Sequence, residues 1–351
     1  MRKDLIIGAV ANYTKDKIVE YVQSINKSGF TGDKIMICYD LPNETMEYLN
    51  QNNWMCYEAQ TNGHPHMKRL IDMWQILETH ITGYRFVITT DVRDVIFQTN
   101  PSDYLEEKYY YGDRLSGWWE KTEVFVASER LQYHKQEWNI KNIHEGYGNI
   151  YWEWIKNKEI GNVGIIAGKG TGVKALLMLN WLVSQAGDVR HYTDQSSLNL
   201  LIHNDLIKDK VTLVNDLCLQ VGTLNEELDI RDGIVYNPIT NKPYPLIHQW
   251  DRNETLTKLF KTKKNKMETT TQLAGTEINK DALYFVDWNS MRGVEDLVLI
   301  FACMGLSFSG MHPHFETIKH LLDLSNPINP NQPIPQQPKA EEFKLPKLKQ
   351  L

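Results

Sequence analysis

Apolar and polar positions alternate along the first hundred residues with the periods of strands and helices. Short apolar runs predict buried strands at Leu5–Val10, Lys34–Tyr39 and Trp54–Tyr57. Apolar residues that recur every three to four positions predict helices over Asp16–Asn26, Asn43–Asn50 and Met67–His80. Strands and helices that follow one another in this order predict an α/β fold with a mainly parallel sheet and right-handed crossovers.

The most informative stretch is Tyr84–Pro101, which begins with the β-branched and aromatic residues of a buried strand. The apolar run stops at Asp91, Arg93 and Asp94. Because open α/β sheets bind ligands at the carboxyl ends of their strands, we expect both carboxylates at that edge. They are three residues apart, so a locally helical turn would direct both to one side. Two converging carboxylates suit Mg²⁺ or Mn²⁺, and an ion-paired surface loop is the alternative.

Composition narrows the class of protein. The chain has 351 residues, of which 42% are hydrophobic and 23% charged, so it has room for one large globular domain and a smaller part. Its net charge of −6 argues against a nucleic-acid-binding protein, which would normally be basic. Neither a signal peptide nor a run of 18 apolar residues is present, which predicts a soluble, cytoplasmic protein without a membrane span.

The four cysteines have no C-x-x-C spacing and lie in or near apolar runs. This arrangement favours free thiols in a reducing compartment, and a disulfide remains the alternative.

Two common nucleotide-binding motifs are missing from the sequence. Neither G-x-G-x-x-G nor G-x-x-x-x-G-K-[ST] occurs, which disfavours a dinucleotide-binding fold and a P-loop ATPase. A sugar nucleotidyltransferase on a related sheet is a further alternative. Such an enzyme usually needs a glycine-rich, basic loop near the N-terminus to grip a triphosphate, and the segment Gly8–Tyr13 lacks one.

The segment TTDVRDVIFQTNP, at Thr89–Pro101, resembles the metal-binding signature of GT-A-fold glycosyltransferases. The likeness extends with decreasing strength over residues 4–252. It implies a GT-A, Rossmann-like fold whose acidic pair holds a divalent metal on the diphosphate of a nucleotide sugar. The usual pattern is Asp-x-Asp. Here Arg93 takes the third place, which leaves open whether Asp91 or Asp94 touches the metal and which one touches the ribose.

The resemblance also implies an activity. The chain would move a hexose or pentose from a nucleotide diphosphate sugar, with a UDP-sugar expected, to a glycan, protein or other hydroxyl acceptor. The cofactor would be Mn²⁺ or Mg²⁺. A non-catalytic carbohydrate-binding or scaffold protein on the same fold is the alternative from a different class.

Two later segments resemble the same family. Asn162–Gly168 matches its N-x-G-apolar-apolar-x-G loop and strand, in which Asn162 and Gly164 would meet the donor sugar, because glycine lets the backbone approach closely. The Asp194-Gln195 step would orient the sugar or assist the acceptor, and it resembles retaining members of the family. Thr193 is expected to cap that helix. A carboxylate favoured by the helix dipole is the structural alternative for Asp194.

His248 ends an apolar step at Leu246–His248, and the resemblance implies that it is the third metal ligand. A neutral imidazole suits Mn²⁺ better than Mg²⁺. Its second ring nitrogen would need a partner such as Asp251 or a backbone carbonyl. A structural histidine is the alternative.

The resemblance assigns the remaining donor contacts by their position in the chain. Ala9, Val10 and Tyr13 would meet the base and ribose, with Tyr13 either stacking on the base or covering the edge of the core. Arg69 would contact the nucleotide or the diphosphate, with a solvated charge at the start of its helix as the alternative. Arg252 would contact a phosphate or the acceptor.

The middle of the chain, residues 102–160, is rich in aromatic residues, and we expect short helices and loops over the acceptor side of the cleft. Val124–Ala127 is predicted to pair at the edge of the sheet.

The predicted domain organisation has four parts. Residues 1–255 form the catalytic domain, and 256–275 a lysine-rich linker. Residues 276–324 form a small β-α-β-α module. Residues 325–351 form a proline-rich disordered tail that could recruit a protein partner.

Overall fold

The structure is a computed structural model that describes residues 3–60, 64–79, 83–111, 122–188, 192–205, 207–224 and 227–262. The predicted module at 276–324 and the predicted tail at 325–351 lie outside these residues, as does the linker beyond residue 262.

The described residues form β-strands and α-helices, numbered here in chain order. The strands are β1 (Leu5–Ala11), β2 (Asp33–Tyr39), β3 (Met55–Ala59), β4 (Phe86–Thr90), β5 (Val95–Phe97), β6 (Val124–Gln132), β7 (Glu159–Lys169), β8 (Val211–Val214), β9 (Cys218–Gln220), β10 (Asp229–Arg231), β11 (Ile234–Tyr236) and β12 (Leu246–His248). The α-helices are α1 (Val19–Lys27), α2 (Asn43–Gln51), α3 (Pro65–Thr79), α4 (Pro101–Glu106), α5 (Glu137–Tyr147), α6 (Asn149–Ile155), α7 (Gly170–Ala186), α8 (Asp194–Ile202) and α9 (Glu254–Thr262).

The central sheet has the strand order β3-β2-β1-β4-β7-β6-β8. Strand β7 is antiparallel to both of its neighbours, β4 and β6, and the other adjacent strands of this sheet are parallel. The predicted α/β class is therefore confirmed for the described residues: the domain has a large, mainly parallel sheet flanked by helices. Strand β1 is apolar throughout, and β4 is buried throughout although it ends in two threonines, as expected of strands covered on both faces.

Helices cover the two faces of the sheet. Ile6 and Val10 of β1 belong to one core cluster with Tyr21 and Ile25 of α1. Helices α3 and α7 pack against each other and against β1, β2, β4 and β7. Because both faces are covered, the carboxyl ends of the parallel strands are the open edge where a ligand can approach.

One sequence prediction about the sheet is wrong. Val124–Ala127 belongs to β6, which lies between β7 and β8 and is therefore not at the edge. The edge position is taken by the short strand β8, which the sequence analysis did not identify.

A second, three-stranded sheet places part of the candidate site. Strand β12 lies between β5, to which it is antiparallel, and β9, to which it is parallel. In this register His248 is opposite Val95 on one side and Gln220 on the other. Since Asp94 directly precedes Val95, three short strands bring Asp94, His248 and Gln220 side by side.

Helix α9 changes the boundary expected for the domain. The predicted linker at 256–275 begins inside this helix, where Leu256 is buried. Leu259 and Phe260 pack against the cluster that contains Trp250. The folded domain therefore continues past residue 255, because the apolar residues of α9 need a surface to cover.

The described cysteines and helices bear on two further expectations from the sequence. Cys38, Cys56 and Cys218 are free thiols, and Cys303 lies outside the described residues. None of the helices in the described ranges has the length and apolar character that crossing a membrane requires.

Candidate functional site

A cavity of about 620 Å³ opens where β1 and β4 end and where β7 begins. The structure brings all of the sequence-predicted site residues to its lining, and these are Ala9, Val10, Tyr13, Arg69, Asp91, Asp94, Asn162, Gly164, Asp194, Gln195, His248 and Arg252. Their individual roles remain predictions, but residues up to 243 positions apart in the chain share one surface, as 9 and 252 show.

Asp91, Asp94 and His248 form a group that can hold a metal ion. Each offers one ligand atom, and these atoms all lie within 4.8 Å of one another. His248 Nε2 is 3.4 Å from Asp91 Oδ2 and 3.7 Å from Asp94 Oδ1. The two carboxylates therefore converge from the end of β4 and the start of β5, as the sequence predicts. A set of two carboxylates and one imidazole suits Mn²⁺.

The orientation of His248 supports this interpretation. Its Nδ1 lies 2.8 Å from Gln220 Oε1. Since an amide oxygen only accepts, Nδ1 carries the proton and the lone pair of neutral His248 is on Nε2. Nε2 is buried and has no hydrogen-bond partner within the described ranges. A buried lone pair that faces two carboxylates needs a cation or a proton, so these residues fit a divalent metal.

The predicted partner of the second ring nitrogen of His248, Asp251 or a backbone carbonyl, is wrong. Asp251 Oδ2 lies 3.5 Å from Arg93 Nη2, and Gln220 holds the imidazole instead. No local signal in the sequence connects position 220 with 248, because the register of β9 against β12 makes them neighbours.

Arg69 is a buried cation between two carboxylates. Its Nη1 forms an ion pair with Asp91 Oδ1, and its Nη2 lies 3.3 Å from Asp194 Oδ2. Helix α3 is thereby tied to the end of β4 and to the start of α8. Arg93 also lies near Asp94 and Asp251, so four carboxylates face two guanidinium groups, and a divalent cation would neutralise the excess negative charge.

Burial and neighbouring charges shift the pKa values of the three candidate metal ligands in different directions. Burial alone would raise the pKa of Asp91, but Arg69 and His248 hold that pKa well below its usual range. Burial raises the pKa of Asp94, and the nearby charge of Asp91 adds to this shift. Burial lowers the pKa of His248, but the carboxylates of Asp91, Asp94 and Glu129 outweigh burial and raise it above its usual value.

Gly164 lets the backbone of β7 pass beside the metal-ligand group. Its carbonyl accepts a hydrogen bond from Asp91 N at 2.7 Å. A Cβ at this position would lie 2.6 Å from Asp91 Oδ2 and 2.8 Å from His248 Cε1. These distances are too short for any side chain, so the glycine of the N-x-G pattern is required by the metal-ligand group itself.

A second group in the cavity is built from amides around one carboxylate. Glu129 Oε1 accepts hydrogen bonds from Asn162 Nδ2 at 2.9 Å and from Gln195 Nε2 at 3.0 Å. Gln195 Nε2 also donates to Asn139 Oδ1 at 2.8 Å, and all four side chains are buried. Burial raises the pKa of Glu129, although its two amide donors partly oppose the shift. Asn162 and Gln195 therefore hold fixed positions through a shared acceptor.

Glu129 is a residue that the sequence analysis missed. It lies in β6 two residues after Ala127, where the apolar run gives way to polar residues. The same signal, a carboxylate directly after an apolar run, drew attention to Asp91. Because β6 was predicted at the edge of the sheet, its carboxylate was not expected in the cavity.

Two residues with left-handed backbone follow two of these side chains. Arg130, after Glu129, has φ 55°, and Gln249, after His248, has φ 60°. Gln249 N donates to the carbonyl of Asp94 at 2.7 Å. Such conformations are unfavourable for residues with a Cβ and persist where the surrounding structure fixes them, often in functional sites.

The start of α8 differs from the prediction. Thr193 lies directly before the helix but makes no capping hydrogen bond with its side chain. Its hydroxyl lies 2.8 Å from Met67 Sδ and 3.3 Å from the carbonyl of Ser184, so it is used for tertiary contacts. Asp194 Oδ1 instead accepts a hydrogen bond from Gln195 N at 2.9 Å. One oxygen of Asp194 therefore accepts from the backbone at the helix start, and the other pairs with Arg69.

The other end of the cavity is formed by residues after β1. Val10 is buried, and Tyr13 is half-buried with Lys17 Nζ 5.5 Å from its ring centre. Arg252 is exposed and makes no ion pair with any residue that the structure describes. Arg93 lies 3.4 Å from Asp94 Oδ2 as well as near Asp251. Arg252 is thus the more available cation for an anionic ligand.

A second cavity, of about 730 Å³, lies beside Arg130, Gln132, Lys158 and Ile239. Among its lining residues Glu159 is the one carboxylate, and no histidine is present. It offers no set of metal ligands, so we place the candidate site in the smaller cavity.

Comparisons with known proteins add little to this geometry. No protein-family model and no curated protein matches the chain. A crystal structure of an active-site mutant of LgtC resembles it with a TM-score of 0.44 and 14% sequence identity, over 74% of this chain and 95% of that one. A likeness this distant carries no inference about what the chain does.

Proposed function

We propose that the chain is a metal-dependent glycosyltransferase that moves a hexose or pentose from a nucleotide diphosphate sugar to a hydroxyl acceptor. The observation that carries the proposal is the group Asp91, Asp94 and His248, with its buried Nε2 lacking a hydrogen-bond partner among the described residues. Its place at the carboxyl edge of the sheet, and the likeness of TTDVRDVIFQTNP to the GT-A signature, support the same function. A UDP-sugar is the donor that we expect.

Asp91, Asp94 and His248 would hold Mn²⁺, or Mg²⁺ in its place. The bound ion would act as a Lewis acid that stabilises the negative charge on the departing diphosphate. Arg252, exposed at the rim, would donate to a phosphate oxygen. Arg69 would keep Asp91 ionised and in position, because its guanidinium already pairs with that carboxylate.

The amide group would orient the sugar. Asn162 and Gln195 are fixed by Glu129, and their oxygens accept from Gly164 N and Val163 N. The second lone pair of each oxygen and the second N–H of Asn162 therefore have defined directions. Fixed dipoles of this kind hold hydroxyl groups without introducing a second net charge. With Asp194, they would place the donor sugar for transfer, and the Asp-Gln step favours retention of its configuration.

Calorimetric titration of UDP, and then of GDP, with and without Mn²⁺ tests this proposal. We expect UDP to bind only with Mn²⁺, and Asp94→Ala to abolish that binding because it removes a metal ligand. Asp205→Ala is the matched control, since that carboxylate is 89% exposed and its ion-pair partner in the described ranges is Lys208, away from the cavity. A panel of UDP-sugars, with the release of UDP as the readout, would then identify the sugar.

If the folded wild-type protein binds neither nucleotide in the presence of Mn²⁺, the glycosyltransferase proposal fails. A carbohydrate-binding protein on the same fold would then be the better explanation of the cavity. A sugar nucleotidyltransferase would instead show release of pyrophosphate from a nucleoside triphosphate and a sugar phosphate.

A further inference from the structure

Two exposed aromatic side chains line the cavity. Of the large hydrophobic side chains that are exposed in the described ranges, Trp138 and Tyr192 are the two that line it, with 44% and 45% of their surface accessible. Aromatic rings left in water beside a polar cavity are typical of a ligand-contact surface, because they gain free energy when a ligand covers them.

The ring of Tyr192 and the helix that carries Trp138 are both held by their neighbours. Trp138 is the second residue of α5, and this helix is capped by Gln136 Oε1, which accepts from Asn139 N at 3.1 Å. The ring of Tyr192 meets the ring of His66 edge-on with a centroid separation of 5.1 Å. The ring of Tyr192 is therefore held by a contact that leaves much of its surface open, and Trp138 projects from a helix whose start is fixed.

The cavity beside these rings is polar. Asn139, one residue after Trp138, accepts a hydrogen bond from Gln195, and Gln195 also donates to Glu129. Glu129 Oε2 has no hydrogen-bond partner in the part of the chain that the structure describes. An apolar platform next to the free carboxylate oxygen of Glu129 suits a pyranose, which has an apolar C–H face and hydroxyl groups around its edge. An alkyl chain would leave this acceptor unpaired, which would be costly in a buried site.

The strand order separates this part of the cavity from the nucleotide end. Ala9 and Val10 end β1, whereas Trp138 follows β6, and β4 and β7 lie between these two strands. Three strand spacings of about 4.8 Å separate the carboxyl end of β1 from that of β6 by roughly 14 Å. A donor whose base lies at β1 and whose diphosphate lies at Asp91 would therefore leave the side of β6 for the second substrate.

We propose that Trp138 and Tyr192 form the acceptor subsite, and that the acceptor presents a pyranose, so that the enzyme extends a glycan. The inference rests on the proposed function. It names a substrate class that the metal-ligand group does not determine, because a metal and a donor diphosphate would serve any hydroxyl acceptor.

The test uses the full chain with saturating UDP and Mn²⁺ on an array of immobilised glycans, with hydroxyl-containing peptides on the same surface. We expect the wild type to bind a subset of the glycans. Trp138→Ala and Tyr192→Ala should each weaken that binding about tenfold, which is the loss of an aromatic contact of about 1.4 kcal/mol. Trp138→Phe should restore part of the binding because it keeps an aromatic face.

Trp154→Ala is the matched control, because Trp154 is 40% exposed on α6 but does not line the cavity. Calorimetry with UDP and Mn²⁺ on the same variants separates acceptor from donor effects, and we expect the dissociation constant for UDP to change less than about twofold. Equal glycan binding by Trp138→Ala, Tyr192→Ala and Trp154→Ala would overturn the subsite.

Binding of peptides rather than glycans by the wild type would overturn the acceptor class, as would binding of neither. Glycan binding that depends on Trp138, without any binding of UDP, would overturn the proposed transfer reaction while supporting a glycan site at these rings. The two proposals therefore fail on different measurements.

Discussion

The two halves of the cavity are built from different chemistry. The metal half contains the carboxylates Asp91 and Asp94, the imidazole of His248 and the guanidinium of Arg69. The amide half contains one carboxylate, Glu129, whose hydrogen-bond partners are neutral amides. Charges in the first half attract or repel over several ångströms, whereas dipoles in the second act through contacts of about 3 Å.

The metal half and the amide half therefore need different things from their surroundings. In a charged cluster, any cation placed nearby offsets part of the repulsion between the carboxylates, because Coulomb interactions extend over several ångströms. An amide group depends on a particular acceptor atom in a particular place, because each buried donor needs its own partner. The metal half is therefore suited to a ligand that comes and goes, and the amide half to holding a fixed shape.

Removal of Arg69 should cause the largest effect on stability. Arg69→Met keeps most of the side-chain volume but leaves the carboxylates of Asp91 and Asp194 without their cation. We expect the free energy of unfolding of the metal-free protein to fall by about 3–5 kcal/mol, the usual cost of breaking a buried ion pair from one side. Arg231→Met is the control, since Arg231 is exposed beside Asp229 and the loss of a surface ion pair should leave the free energy of unfolding almost unchanged.

Addition of Mn²⁺ sharpens this test of the metal half. If a bound cation can stand in for Arg69 beside Asp91, saturating Mn²⁺ should stabilise Arg69→Met more than it stabilises the wild type. Urea unfolding of both proteins with and without Mn²⁺ measures the two increments. Equal increments would show that the cluster does not exchange one cation for another.

A loss of Gln220 should weaken metal binding without removing a ligand. Gln220→Ala leaves His248 free to rotate or to carry its proton on Nε2, because Gln220 Oε1 no longer accepts from Nδ1. We expect the affinity for Mn²⁺ to fall about 10- to 100-fold, as for other residues that orient a metal ligand. Titration of Mn²⁺ followed by electron paramagnetic resonance measures free ion directly.

Gln51→Ala, on the exposed end of α2, is the control for Gln220→Ala. Unchanged Mn²⁺ affinity in Gln220→Ala, with a protein that unfolds like the wild type, would mean that the packing of β12 alone fixes the imidazole.

The residues of the metal half could be found from the sequence because their signal is local. Asp91 and His248 each end a short apolar run, and a polar residue at that point of an α/β chain faces the ligand edge. The order of elements up to β4 is also local, since each strand and each helix shows its own period. The fold class follows from that alternation.

The rest of the site could not be found because it depends on strand order and register. Gln220 reaches His248 only through the pairing of β9 with β12, and Glu129 reaches the cavity only because β6 lies inside the sheet. Neither fact is written in the periodicity of a single segment. Thr193 shows the same limit, because its hydroxyl contacts Met67 of α3 rather than the backbone of its own helix.

Two substitutions of Glu129 should destabilise the amide half to different degrees. Glu129→Ala removes the acceptor of Asn162 Nδ2, which has no other acceptor among the described residues, and one of the two acceptors of Gln195 Nε2. Leaving buried amide donors unpaired should lower the free energy of unfolding by about 1–3 kcal/mol. Glu129→Gln keeps a carbonyl oxygen for both donors, so we expect most of that stability to be retained. Chemical unfolding at neutral pH compares the three proteins.

The pH dependence of the same variants shows whether Glu129 carries the charge in this half. Its pKa is raised above 4.5 by burial, so the folded protein holds this proton more tightly than the unfolded chain. The contribution of Glu129 to stability is therefore full below pH 4.5 and is lost as the pH rises through the pKa of the folded state. Glu129→Gln cannot titrate, so its free energy of unfolding should fall less steeply over that window. Parallel curves would mean that Glu129 keeps an ordinary pKa, and that the amides of Asn162 and Gln195 stabilise its charge as well as water does.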